Sequence, residues 1–210
     1  VANGASLTGS GLVRGSSATF ASGSTLRPGD TIADSSHSTL TFAPIGIGAY
    51  NLQAGSSIVL GISTPTANDA THNNNDLGTP GYDSWVDAIA GVGGHHRLVF
   101  NGTSGSTLTF SSQVKVAPSS YTAQLGDVFN LLDWATLLLA DFSGFNVGTN
   151  YRDGSSDGAS QFDLPDLSGS PGLFWDVSRF TSSGSIVVVP EPTRAVLLFL
   201  GVAGWLIRRR

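Results

Sequence analysis

The chain contains no cysteine and no methionine. Without cysteine there is no disulfide framework, no thiolate nucleophile and no Cys-type zinc site. Glu191 is the only glutamate and Lys115 the only lysine. Both residue types favour helices and clothe helical surfaces, so their scarcity argues against a helical body. Charged residues make up 12% of the 210, about half the share usual in globular proteins. The acids other than Glu191 are all aspartate, a residue of turns and loops. Up to Val189 there are 14 Asp against five Arg and one Lys, a net charge of −8. Such a surface repels a polyanion, so nucleic acid is not an expected partner. The chain opens on Val1-Ala-Asn-Gly-Ala-Ser6, without the charged and apolar regions of a signal peptide. A fragment or a processed form is the expectation.

What is present points to β structure. There are 27 glycines with abundant serine and threonine, and apolar residues reach 40%, too many for a disordered chain. Short apolar clusters follow Gly-Ser turns at Gly23-Ser-Thr-Leu26, Gly55-Ser-Ser-Ile58, Gly105-Ser-Thr-Leu108 and Gly184-Ser-Ile186. Alternation of period two, the strand signature, runs through Thr39–Phe42, Leu108–Phe110 and Gln113–Val116. Ser57–Ile62 and Ile186–Val189 are near-continuous apolar runs, as in strands buried on both faces. The Gly-Ser turns recur at 32, 50 and 79 residues, with no fixed period. Two readings stand: chance matches in a Gly/Ser-rich chain, or an irregular β-solenoid whose strand–turn units stack on one another. Residues 64–81 and 148–166 are polar and turn-rich and read as long loops, while Tyr82–Ile89 and Trp134–Ala140 read as short helices.

Gly23–Gly29, Thr39–Phe42 and Leu52–Leu60 together resemble autotransporter-type β-strand repeats. Gly126–Trp134, Phe162–Pro165 and Gly172–Ser178 follow in an order similar to the final segment of exported bacterial β-solenoid proteins. The resemblance implies an all-β body. It would be the C-terminal part of a right-handed parallel β-helix, closed by a small β cap, with Thr64–Gly94 as an insertion.

The end of the chain reads Val-Pro190-Glu-Pro192, Thr-Arg-Ala, an apolar run and Arg208-Arg209-Arg210. Residues 192–207, if helical, span about 24 Å, against about 30 Å of bilayer hydrocarbon. Arg194 and the arginine triplet close the gap by snorkelling, and Trp205 stands where an interfacial aromatic belongs. Positive charge marks the cytoplasmic side, which places the tail inside and the body outside. The two prolines hold Glu191 in an extended, exposed tripeptide suited to a protease cleft. In its parts and their order this tail resembles a PEP-CTERM sorting signal. That resemblance implies recognition and tail removal by an exosortase-type membrane protease. The protein would be anchored transiently in the inner membrane and then reach the cell surface, the extracellular space or an exopolysaccharide matrix. The expected division is therefore a β-rich exported body at 1–189 and a sorting signal at 190–210.

Residues with chemical potential are few. Asp153, Asp157 and Asp163, with Asp166, lie in a Gly-rich acidic loop that suits calcium. Their spacing matches neither the EF-hand nor the calcium β-roll repeat, and ordinary turn aspartates are the other reading. His95 and His96 are adjacent, so on a strand they face opposite ways and share no metal; a loop is the expected setting. No phosphate-binding glycine motif is present. The expectation is a non-enzymatic structural surface protein without a cofactor, with self-association through an exposed strand edge. The rivals are a polysaccharide-active protein and a carbohydrate-binding module using Tyr82, Trp85 and Tyr151.

Overall fold

In the computed structural model of the chain, residues 1–30, 38–68, 86, 94–134, 139–148 and 161–190 are described. The protein is all-β, and its strands form four sheets. Sheet A contains β1 (Ser6–Gly9), β4 (Thr25–Pro28), β7 (Ser57–Thr64), β12 (Gln113–Pro118) and β16 (Phe162–Asp163), all parallel, with β9 (Gly94–His95) added antiparallel to β7. Sheet B contains β2 (Gly11–Arg14), β5 (Thr39–Ala43), β10 (Arg97–Phe100) and β14 (Leu132–Asp133), also parallel. Sheet C contains β3 (Ser17–Phe20), β6 (Ala49–Leu52), β11 (Thr107–Phe110) and β15 (Leu139–Asp141), again parallel. The chain thus visits A, B and C in rotation, and each circuit lays its strands beside those of the circuit before.

Parallel pairing in register puts residues of like facing beside one another. The sequence fills these positions with apolar side chains. Leu7, Leu26, Ile58, Val114 and Phe162 form one row across sheet A. Leu40, Leu98 and Leu132 form another across sheet B, beside the pair Phe42 and Phe100, whose rings stack at 5.1 Å and 9°. In sheet C, Phe20, Leu52 and Phe110 do the same. All belong to one core, with Leu7 at its partly buried margin. Each fully buried side chain of this kind contributes about 1.5–3 kcal/mol, and it does so only because the next circuit covers it.

The Gly-Ser turns are the corners. Gly23 and Gly55 precede β4 and β7, Gly105 precedes β11, and Gly184 precedes the last strand. The following serines are buried, and Ser56 and Ser106 close their corners through their hydroxyls. Ser106 Oγ accepts from the backbone N–H of Gly48 at 2.9 Å and of Thr103 at 3.0 Å. Ser56 Oγ donates to the Gln53 carbonyl at 2.6 Å and pairs with Ser112 Oγ. One turn type therefore serves three different sheets, which is why no single period links its copies.

Sheet D is antiparallel, in the order β8 (Ala67–Asn68), β13 (Asp127–Asn130), β18 (Ser185–Pro190), β17 (Leu173–Asp176). It is buried on both faces. Phe129, Trp175, Ile186 and Val188 join the main core, while Val128, Phe174, Val187 and Val189 close on Val86. The apolar run Ile186–Val189 is thus split between two cores by the alternation of its side chains. A short helix, α1 (Phe180–Ser183), sits before β18.

Four sequence expectations are corrected. The segment 64–81 is not all loop, since β7 runs to Thr64 and Ala67–Asn68 is a strand paired with β13. The segment 148–166 is not all loop, since Phe162–Asp163 is a strand paired with β12 and Phe162 is fully buried. Trp134–Ala140 is not a helix throughout: Leu139–Asp141 pairs with β11. All three of those residues are exposed, so backbone pairing to the neighbouring circuit, rather than burial, overrides local propensity. His95 is not a loop histidine but lies in a strand, β9 (Gly94–His95), antiparallel to β7, and His96, in the connection from β9 to β10, is buried as well. The body's last strand also runs to Pro190, one residue beyond the expected boundary.

Candidate functional site

In the first two circuits, sheet A leads directly into sheet B. From β7 onward it does not. β7 leads to β8, β12 to β13 and β16 to β17, so three successive strands of sheet A exit into sheet D. Strands that lie side by side in one sheet diverge as they cross to another, and the gaps between their exits are the natural places for clefts. Two are present. The first, about 380 Å³, lies between the first and second exits and is lined by Ser63, Thr64, Pro65, Asn68, Ser120–Thr122, Gln124 and Asp127. The second, about 360 Å³, lies between the second and third and is lined by Pro118, Tyr121–Ala123, Pro165–Leu167, Gly169 and Ser170. Tyr121 and Thr122 border both.

Asp127 organises this region. Its side chain is buried, 2% exposed, at the start of β13. Asn68 Nδ2 donates to its Oδ1 at 2.6 Å. The Tyr121 hydroxyl and the Gln124 N–H both donate to its Oδ2, at 2.7 and 2.9 Å. One carboxylate thereby ties the first exit to the second and holds the Tyr121 loop in place. Burial, then the hydrogen bond and negative charge of Asp127, push the Tyr121 hydroxyl far above its ordinary pKa, so it remains a donor. The Tyr121 ring packs edge-on against Phe129 at 5.1 Å and near Trp175 at 6.2 Å. Just before it, Ser120 has φ +59°, the left-handed conformation uncommon for a side chain other than glycine. The third exit is pinned by Trp175, whose Nε1 donates to the Pro165 carbonyl at 2.9 Å.

Behind the first cleft lies a second polar group. His95 Nε2 is 2.9 Å from the Asn130 carbonyl and 3.3 Å from Thr66 Oγ1, which accepts from the Asn130 N–H at 3.1 Å. His96 Nδ1 accepts from the Gly61 N–H at 3.1 Å. These contacts join β7, β9 and β13. The two histidines hold backbone together, on different partners.

Of the residues singled out in the sequence, Pro190 ends β18 beside Leu173 of β17. Asp163 is exposed on β16, next in register to Lys115. Asp166 is engaged locally, accepting from the N–H and the hydroxyl of Ser168 at 2.7 Å each. Glu191, Pro192, Arg194, Trp205, Arg208, Arg209, Arg210, Asp153, Asp157, Tyr82, Trp85 and Tyr151 lie outside the described residues, as does the proposed span 192–207. Among the described residues no helix is long and apolar enough to cross a membrane, and no three metal-binding side chains converge. The Tyr121–Asp127 node escaped the sequence reading. Its one legible signal is a lone tyrosine in the polar stretch between the strand at Gln113 and the apolar run after Asp127.

Comparison with protein-family models, with curated proteins and with solved structures finds no match.

Proposed function

We propose that the chain is an exported, non-enzymatic surface or matrix protein whose address lies in its final residues. In this reading the body is a right-handed parallel β-helix, or part of one, with sheet D as its small β cap. Support comes from the rotation through three parallel sheets and from the stacked apolar rows that each circuit adds. A stacked rod of this kind needs few charges and displays its loops to one side. The tail from Pro190 is a PEP-CTERM-type sorting signal. The observation that carries this is the order of its parts: Pro190-Glu191-Pro192, an apolar run, then three arginines. The motif begins where the last described strand ends. An exosortase-type membrane protease reads Pro190–Pro192, the helix 192–207 holds the precursor in the inner membrane, and Arg208–Arg210 stay cytoplasmic.

The test is Glu191→Ala in a host with an exosortase, followed by mass spectrometry and cell fractionation. The expected result is a precursor that keeps its tail and stays in the membrane fraction. An unchanged mature mass and unchanged surface display would overturn the sorting assignment. Carbohydrate binding is the second reading, and the two clefts at the sheet A exits favour it.

A further inference from the structure

The geometry points to the two clefts as a single binding site for a neutral oligosaccharide, threaded across the three exits and centred on Tyr121 and Thr122. The inference gives the carbohydrate-binding reading a location, and it is independent of how the tail is sorted.

The lining chemistry selects the ligand class. The first cleft offers the hydroxyls of Thr64, Ser120 and Thr122 and the amide of Gln124, while Ser63 and Asn68, whose donors are engaged on the Gly94 carbonyl and on the Leu125 carbonyl and Asp127, contribute acceptor oxygens. The second offers apolar walls from Pro118, Ala123, Pro165 and Leu167, with Asp166 and Ser170 at its rim. A sugar ring needs that combination. Its C–H faces pack on flat apolar surface, and its hydroxyls both donate and accept along the edge. No Arg, Lys or His lines either cleft, while two aspartates do. An anionic ligand such as a phosphate or a uronate would meet like charge there and find no cationic partner. A peptide would look for an open strand edge or a deep apolar anchor pocket, and the first cleft is walled mainly by side-chain hydroxyls and amides. Volumes of about 380 and 360 Å³ lie in the small-ligand range. The shared wall at Tyr121 and Thr122 makes the two clefts neighbouring subsites for linked units.

The site is also prepared in advance. Asp127 fixes both walls of the first cleft through Asn68 and Tyr121, and Ser120 holds a backbone conformation that only a fixed loop sustains. A rigid site loses little entropy on binding.

The experiment uses the 210-residue chain, isotope-labelled and titrated with neutral glucan hexamers, α-linked and β-linked, and in parallel with a uronate hexamer. The expected result is shift changes confined to residues 63–68, 118–124 and 165–170 for at least one neutral hexamer. Thr122→Arg, an exposed substitution on the shared wall, should weaken that binding by about tenfold or more. Ser170→Arg should do so independently from the far rim, with circular dichroism and melting unchanged in both. The uronate should bind at least about tenfold more weakly than the best neutral hexamer. The proposal is overturned if neither neutral hexamer produces shifts at about 10 mM. Shifts that map elsewhere, indifference to both arginine variants, or equal binding of the uronate overturn it as well.

Discussion

At the scale of single residues, buried polar side chains among the described residues hold backbone in place. Buried serines finish corners, buried histidines join β9 to β7 and β13, and Asp127 ties two exits together. Arg97 of β10 reaches Asp133 of β14 at 2.6 Å, bracing adjacent strands of sheet B. Tyr121 shows how such a role becomes measurable. Its hydroxyl is kept neutral in the fold by burial and by Asp127, whereas in the unfolded chain it ionises near pH 10. The folded pKa is the raised one. Its contribution is therefore complete below about pH 10 and is lost as pH rises from there toward the folded value. Tyr50, raised by burial and bonded to the Asn101 carbonyl at 2.7 Å, adds to the same loss. Tyr121→Phe should cost about 1.5–3 kcal/mol at neutral pH, the worth of a hydrogen bond to a charged group. Its melting temperature should then fall less steeply than that of the parent above pH 10. Denaturant unfolding at neutral pH checks the first half, and thermal melts across the alkaline range check the second. A variant that loses stability in parallel with the parent would place the alkaline sensitivity elsewhere.

At the scale of elements, stability depends on junctions between sheets, and Gly184 makes the closest of them. It ends α1 with φ +73°, and its carbonyl accepts the N–H groups of both Leu131 and Leu132. A Cβ there would stand 1.8 Å from the Leu132 carbonyl oxygen and 2.6 Å from its carbon. Gly184→Ala should therefore cost more than the roughly 1–3 kcal/mol of the left-handed backbone alone, since β18 must also move away from the β13–β14 segment. Urea unfolding would show it, and a loss below about 1 kcal/mol would mean that the junction is loose. The elements also show what was legible in the sequence. Strands whose two faces differ, such as β5, β11 and β12, announced themselves by alternation. The run in β18 was readable as doubly buried because no polar residue interrupts it. β16 is only two residues long, so it has no alternation to display. β15 is an exposed edge strand held by its backbone, and the Leu-rich sequence before it resembles a helix. The clefts were illegible for a different reason. They are made by the exits of β7, β12 and β16, segments far apart in sequence, and only the topology brings them together.

At the scale of the whole molecule, a body built by adding circuits has ends, and the ends decide how it meets other chains. Among the described residues β1, β2 and β3 are the first strands of sheets A, B and C, with a partner on one side only. Part of the sheet C edge is occupied, since the Val1 ammonium donates to the Thr19 carbonyl at 2.6 Å and Ala21 donates back to Val1 at 3.1 Å. The sheet A edge is open by alternation. Ala5 and Gly9 bond toward β4 and its flanks, so Ser6 and Thr8 present their backbone groups outward. Leu12 on β2 is 50% exposed. Natural edges are blunted by lysine, proline or inward charge, and β1 to β3 carry one charged residue, Arg14, and no proline. The purified chain should accordingly self-associate as its concentration rises, by pairing of these edges between copies. Leu12→Lys should shift that association to higher concentration by charging the sheet B edge. Thr8→Pro should do so by removing an outward N–H from sheet A, and neither change should disturb the far β-rich spectrum. Sedimentation velocity over a concentration series reads both variants against the parent. A parent that stays monomeric throughout would show that these three edges do not template pairing, and would favour a closed, ligand-binding body over a structural one.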